Sequence, residues 1–396
     1  RIVGSYESGR RDTSSVSGKD LITSLDIDLQ QYGEELMRNK RGGIVAIEPA
    51  SGEILAMIST PSYDPNLLTI GRNRGDAYLS LAEDSTKPLF NRAIGAQYPP
   101  GSIFKPVMAL IGMQEGVLDS NRTISCRGGY IYKQLRVGCH GHPTATNVGQ
   151  AIQHSCNAYF CQVLRDVVDK NGFNNASQGL DTMVQHLYDF GLGRTLDTDI
   201  PNELRGNVPT SAYYDKIYGG ERWTSPYIVS LGIGQGELLI TPLQMANIAA
   251  IIANRGYYYP PHLAKSFKND TTQIPYVLRT PQYTQIGRSY FEPVVDGMED
   301  VVLAGTARIA QIPGMAVCGK TGTAENPHGE DHSVFIAFAP KDNPKIAIAV
   351  FVENGGFGAR YAAPIASLMI EQYLNREIHA SRKYLEERMK NASLTQ

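Results

Sequence analysis

The run YPPGSIFKP (residues 98–106) sets Ser102 three residues before Lys105, directly after Pro-Pro-Gly. A serine hydroxyl attacks carbonyl carbon well only when a neighbouring group takes its proton, and a lysine kept neutral can do that. Pro-Pro-Gly reads as the entry to a helix, so the two side chains share one helix face, and first-turn N–H groups with the helix dipole favour developing negative charge. The same pair also fits a capping serine beside a solvated lysine. Two further runs narrow the choice: Ser155-Cys156-Asn157, after a helical approach, and Lys320-Thr321-Gly322-Thr323, in the extended run AVCGKTGTA. Singly, the first could be loop side chains bonding local backbone and the second an edge strand with a surface lysine. Together they stand in the order S-x-x-K, S-x-N, K-T-G, with one S-x-x-K and one K-T-G in the chain. That order points to acyl transfer through Ser102. On this reading Gly322 is small so that a substrate can lie along the strand edge as an added strand.

A second constellation lies between Cys126 and Cys156, where Cys126, Cys139, His140, His142 and Cys156 cluster. The Cys139-to-His142 step is C-x-x-H, a spacing that chelates zinc, and it selects His142 over His140 as the nitrogen ligand. A disulfide and inert buried thiols are the other readings, and five cysteines cannot all pair within one chain. Cys161 and Cys318 read as core thiols, His154 and His262 as structural or exposed, and the run Tyr257 to Tyr259 before Pro260-Pro261 as packing.

These groups need a scaffold, and the chain can build one: 396 residues, 42% hydrophobic and 19% charged, with a formal charge of -2. Such a balance offers no basic stripe for nucleic acid. The longest apolar runs fall far short of a bilayer span, and the chain opens at Arg1 without a signal segment, which reads as a soluble fragment whose targeting information lies elsewhere. Apolar residues from Asp26 to Asn39 recur at helical spacing. Ile44 to Glu48 and Glu53 to Ser59 flank the turn residues 49–52, and Val334 to Ala339 and Ile346 to Val352 flank residues 341–344, giving one hairpin near each end. Helical patterning fills Phe104–Gln114, Val148–Arg165, Thr182–Phe190, Pro242–Ala253 and Ala363–Leu374. The expected fold is α/β in the α+β sense: an antiparallel sheet flanked by helices, with an inserted all-helical subdomain and the cleft at their junction. The expected boundaries are a linker remnant over 1–22, a main domain over 23–378 and a C-terminal tail over 379–396. Within the main domain the sheet part covers about 23–60 and 312–378, and the helical part about 61–311.

The three motifs resemble those of penicillin-binding proteins and serine β-lactamases. From about Leu21 to Leu374 the chain is similar to elongation-type class B enzymes of the penicillin-binding protein 2 kind. The stretches that carry this are GGIVAIEPASGEILAMISTPSYDPN (42–66), YPPGSIFKP, GIGQGELLITPLQMA (232–246) and GKTGTAENPHGEDHSVFIAFAP (319–340). The N-P-H-G after K-T-G-T-A favours the elongation type. The resemblance implies a peptidoglycan D,D-transpeptidase: Ser102 attacks the penultimate D-Ala carbonyl of a stem pentapeptide ending in D-Ala-D-Ala, and β-lactams acylate the same serine. It implies Lys105 as general base, Ser155 as proton relay to the leaving amine, and Asn157 orienting Lys105 and the substrate amide. It further implies Lys320 as positive charge near the terminal carboxylate, Thr321 and Thr323 as hydroxyl donors, and the N–H groups of Ser102 and Thr323 as the oxyanion hole. Relatives can carry a metal with a ligand in the middle of S-x-N, where Cys156 stands, which supports a structural zinc on Cys126, Cys139, His142 (or His140) and Cys156. A membrane anchor and pedestal outside these residues, a SEDS-family glycosyltransferase partner and a periplasmic location are implied too. A D-Ala-D-Ala carboxypeptidase, a serine β-lactamase and a non-catalytic β-lactam sensor share the motifs. Against the lactamase, Glu203 in PNELRG fits a loop turn as well as it fits a deacylating carboxylate.

Overall fold

The computed structural model describes residues 17–220, 222–269 and 273–394. Its centre is a five-stranded antiparallel sheet in the order Ile54–Thr60, Gly42–Ile47, Ile346–Val352, His332–Ala339, Cys318–Ala324. Both hairpins expected from the turn residues form, and they join through Gly42–Ile47 against Ile346–Val352. Every residue of Ile346–Val352 is buried, so this strand reads as an unbroken apolar run instead of an alternating one.

Helices cover both faces. Ile27–Met37, capped by the Asp26 carboxylate on Leu29 N–H, turns Leu29, Tyr32, Leu36 and Met37 inward beside helix Ala362–Asn375. On the other side Pro242–Ala253 is buried over its whole length, as its uniformly apolar sequence requires. Its start is fixed by a capping box between Thr241 and Gln244. Among the described residues strand Cys318–Ala324 pairs only with His332–Ala339, which leaves its other edge without a strand partner.

Two expectations need correction, and the described parts of the two ends carry regular structure. The patterned stretch 148–165 is two helices, Val148–Gln153 and Asn157–Val168, because Ser155 takes a left-handed backbone with φ 54°. The stretch 61–311 is mainly helical but also holds the ribbons Gly129–Tyr132 with Leu135–Gly138 and Tyr257–Tyr258 with Gln282–Tyr283, so it is not all-helical. Of the expected linker, residues 1–16 lie outside the described residues, while Leu21–Thr23 is a strand on Ala264–Phe267. In the expected tail, Lys383–Asn391 is a helix with Leu385 and Met389 buried, and Lys40 donates to the carbonyls of Met389 and Ala392 at its end. No helix among the described residues is long and apolar enough to cross a membrane.

Candidate active site

Ser102 sits in a tight turn, Gly101–Phe104, that leads into helix Lys105–Gln114. The turn is wedged against the open sheet edge. Gly101 has φ 57°, and a Cβ there would stand 2.4 Å from the Thr323 carbonyl oxygen. Gly101 N–H donates to Gly234 O (2.8 Å), tying the turn to the GIGQG segment.

Lys105 is fully buried. Its ammonium donates to Ser155 O (2.6 Å), Ser155 Oγ (3.1 Å) and Asn157 Oδ1 (2.6 Å), which occupies all three N–H bonds. The lysine of the first motif thus locks onto the second. Burial pushes Lys105 down to about 8, against an upward pull from the sulfurs of Cys139, Cys156 and Cys161. A lysine held there is a usable base near neutral pH. The left-handed Ser155 is what turns its hydroxyl and carbonyl together toward Lys105, a strained conformation of the kind that collects at functional sites. Asn157 is fixed on its far side by Nδ2 donating to Gly138 O (2.7 Å).

The third motif occupies the edge strand. Thr321 and Thr323 point into a cleft of about 540 Å³ that is also lined by Ser102, His140, Ser155, Asn157, Gly322 and Gln235. Thr321 Oγ1 pairs with Thr306 Oγ1 at 2.6 Å. Gln235 Nε2 donates to Thr323 O (3.1 Å), so that carbonyl faces the open edge. In an antiparallel strand the N–H of a residue points to the same side as its carbonyl, so Thr323 N–H faces the cleft as well. The backbone there can polarise a carbonyl placed beside Ser102.

Lys320 and Gly322 of this strand are both tightly packed. Lys320 is fully buried, does not line the cleft, and donates to Thr321 O (3.0 Å). Burial, reinforced by Lys105, holds it well below the ordinary lysine range. Gly322 is also pressed by the turn carrying Ser102: a Cβ there would meet Ile103 Cγ2 at 2.9 Å and Pro100 O at 3.0 Å. Glu203 is a turn anchor that accepts from Leu196 N and Thr198 Oγ1, and it is not at the cleft.

Cys126, Cys139, His142 and Cys156 bring their ligand atoms within 4.8 Å of one another, and His140 is outside this set. His142 Nδ1–H donates to Pro143 O (2.6 Å), which leaves Nε2 aimed at Cys139 Sγ, 3.1 Å away. The hydrogen bond between the thiols of Cys139 and Cys156 holds Cys139 toward thiolate and Cys156 toward thiol. Three sulfurs and one imidazole nitrogen at this spacing suit a tetrahedral soft-metal site. The cluster also grips the motif beside it: Cys139 Sγ accepts Asn157 N–H (3.3 Å), and Cys156 Sγ caps the following helix at Tyr159 N–H (3.4 Å). Cys161 and Cys318 are buried in the core, and His262 is buried with Nδ1 at Pro260 O (2.8 Å). His154 stacks on His142 with ring centroids 5.5 Å apart.

Sequence reasoning assigned no role to Gln235, Thr306, Glu325, Asp331 or the stretch Phe357–Ala359, all of which line the cleft. Gln235 lies in a stretch singled out above, but nothing in its spacing tells that its side chain reaches Thr323.

Comparison with known proteins agrees with this geometry. The profile described as Penicillin binding protein transpeptidase domain matches residues 42–371. A relative from Haemophilus influenzae, named peptidoglycan D,D-transpeptidase MrdA, is 33% identical over 94% of this chain and 59% of its own length, so the chain spans about three fifths of it. The crystal structure of Pseudomonas aeruginosa PBP2 in complex with WCK 5153 has a TM-score of 0.80 and 32% identity, covering 94% of this chain and 80% of that one. An imipenem acyl-enzyme complex of penicillin-binding protein A from Mycobacterium tuberculosis has a TM-score of 0.73 and 30% identity, covering 90% and 80%. With a profile match over most of its length and three motifs meeting in one cleft, the chain belongs to the penicillin-binding protein transpeptidase domain family.

Proposed function

We propose that the chain is the catalytic part of a peptidoglycan D,D-transpeptidase of the elongation type, working through a Ser102 acyl-enzyme. The observation that carries this is the junction of Lys105 with Ser155 and Asn157 in the cleft that Ser102 and the Thr321–Thr323 edge also line. A neutral Lys105 takes the Ser102 proton as the hydroxyl attacks the penultimate D-Ala carbonyl. The Ser102 and Thr323 N–H groups hold the oxyanion. Ser155, within reach of Lys105, passes a proton to the departing D-Ala amine. An amine from a neighbouring stem peptide then attacks the acyl carbon and displaces Ser102 Oγ, which recovers its proton as the new amide forms, and β-lactams stop the cycle at the acyl stage. Thr306 and Thr321 offer hydroxyls for the terminal carboxylate. Buried Lys320 holds the Thr321 carbonyl and so supports the edge strand from behind.

The donor set of Cys126, Cys139, His142 and Cys156 fits zinc, which would hold the wall carrying Ser155 and Asn157 and supply no step of the chemistry. Because the relatives are longer, a membrane anchor, periplasmic exposure and a SEDS-family partner are part of the same reading. The test is aminolysis. A D-Ala thioester donor with a D-amino acid acceptor should yield the amide, and Ser102→Ala should not. Exclusive hydrolysis at high acceptor concentration would instead make the protein a carboxypeptidase or β-lactamase.

A further inference from the structure

The cleft contains a carboxylate with no assigned task. Glu325 lies directly past the end of strand Cys318–Ala324, and it lines the cleft together with Thr321 and Thr323. It is exposed, and with the described residues its carboxylate makes no hydrogen bond or ion pair. The other cleft carboxylate, Asp331, is partly engaged: its Oδ1 accepts Asn326 N–H (3.1 Å). The basic groups stand on the other wall, where His140 joins Ser155 and Asn157, with Lys105 behind them.

We propose that Glu325 reads the third residue of the donor stem peptide and selects a side chain that carries a primary ammonium. This rests on the function proposed above, and three steps lead to it. The donor's terminal carboxylate faces the hydroxyl pair Thr306–Thr321, and its reacting carbonyl faces Ser102 and Thr323 N–H. An extended peptide rises by about 3.4 Å per residue, the same as the strand it lies on, so each preceding residue advances one position toward the strand end. The residue before the acyl D-Ala therefore leaves Thr323 in the direction of Glu325. Finally, cross-linking needs an amine on each acceptor stem, and donor and acceptor stems come from one polymer. The donor therefore carries the same amine, which is an ammonium at neutral pH. Glu325 is the carboxylate along that path still free to receive it.

The test compares D-lactate depsipeptide donors with lysine, norleucine or glutamate at the third position, each as kcat/KM for acylation. Wild type should favour lysine over norleucine by about two- to five-fold, the range of an exposed ion pair, and lose most of that preference in 0.5 M salt. Glu325→Gln should bring the ratio to about one, and Glu325→Lys should shift preference toward the glutamate donor. A ratio taken within one protein cancels any general effect of the substitution. An unchanged lysine-to-norleucine ratio in Glu325→Gln, or no preference in wild type, overturns the inference. Wild type that acylates with none of the donors, and is not labelled by a fluorescent penicillin, rejects the transpeptidase reading itself.

Discussion

Gly101→Ala isolates the contact that sets Ser102 against the sheet edge. The added Cβ would lie 2.4 Å from Thr323 O, where ordinary contact begins near 3.4 Å, so turn and strand must part by about 1 Å. That gap opens between the N–H groups of Ser102 and Thr323, the proposed oxyanion pair. A 1 Å misplacement, or the loss of one such donor, slows acyl transfer by roughly 100-fold. The left-handed backbone adds a stability cost of about 1–2 kcal/mol for alanine. Gly116→Ala is the control: its φ is 71° and a Cβ there meets nothing within 4 Å. Stopped-flow acylation by a fluorescent penicillin and thermal melting separate the two effects. Both variants should melt a few degrees lower, and only Gly101→Ala should lose the rate. A folded Gly101→Ala that acylates within three-fold of wild type would refute the claimed geometry.

Acylation should rise about tenfold per pH unit below pH 8 and level off above it, because only deprotonated Lys105 accepts the serine proton and burial holds it near 8; a profile still rising steeply at pH 10 would mean Lys105 is not the base. Ser155→Ala removes one of three acceptors from Lys105 and the proposed relay, so acylation should fall by about 10- to 100-fold, with melting lowered by only a few degrees. Protein purified without added metal should contain about one zinc per chain, and stripping it should slow acylation and lower the melting temperature together; a Cys126–Cys139 disulfide by mass spectrometry, with no metal, would exclude the site. Tyr98→Phe keeps the ring on Phe351 but deletes the 2.7 Å bond to Glu353, a loss of about 1.5–3 kcal/mol in unfolding free energy by denaturant titration.

Where local chemistry decides, the sequence was legible. Turn residues marked both hairpins, and the C-x-x-H step chose His142 over His140, the histidine whose nitrogen lies among the three sulfurs. The three motifs were recognisable because each carries its function in adjacent residues. What stayed hidden depends on distant parts of the chain meeting. Gln235 reaches Thr323 across a separation of 88 residues. Gly322 faces Pro100 and Ile103, a contact no pattern around position 322 encodes. Lys320 is buried because the Ser102 turn covers its strand, which charge alone argues against. The break at Ser155 was hidden for a related reason: apolar periodicity runs through it, and the left-handed residue is stabilised by bonds to Lys105, 50 positions away.

The central claim, that Ser102 is the nucleophile of this cleft, is tested most directly by mapping a benzylpenicillin adduct. After digestion, tandem mass spectrometry should find a single penicilloyl group on Ser102, present in wild type and missing from Ser102→Ala. An adduct on any other residue, or labelling that survives in Ser102→Ala, would contradict the account.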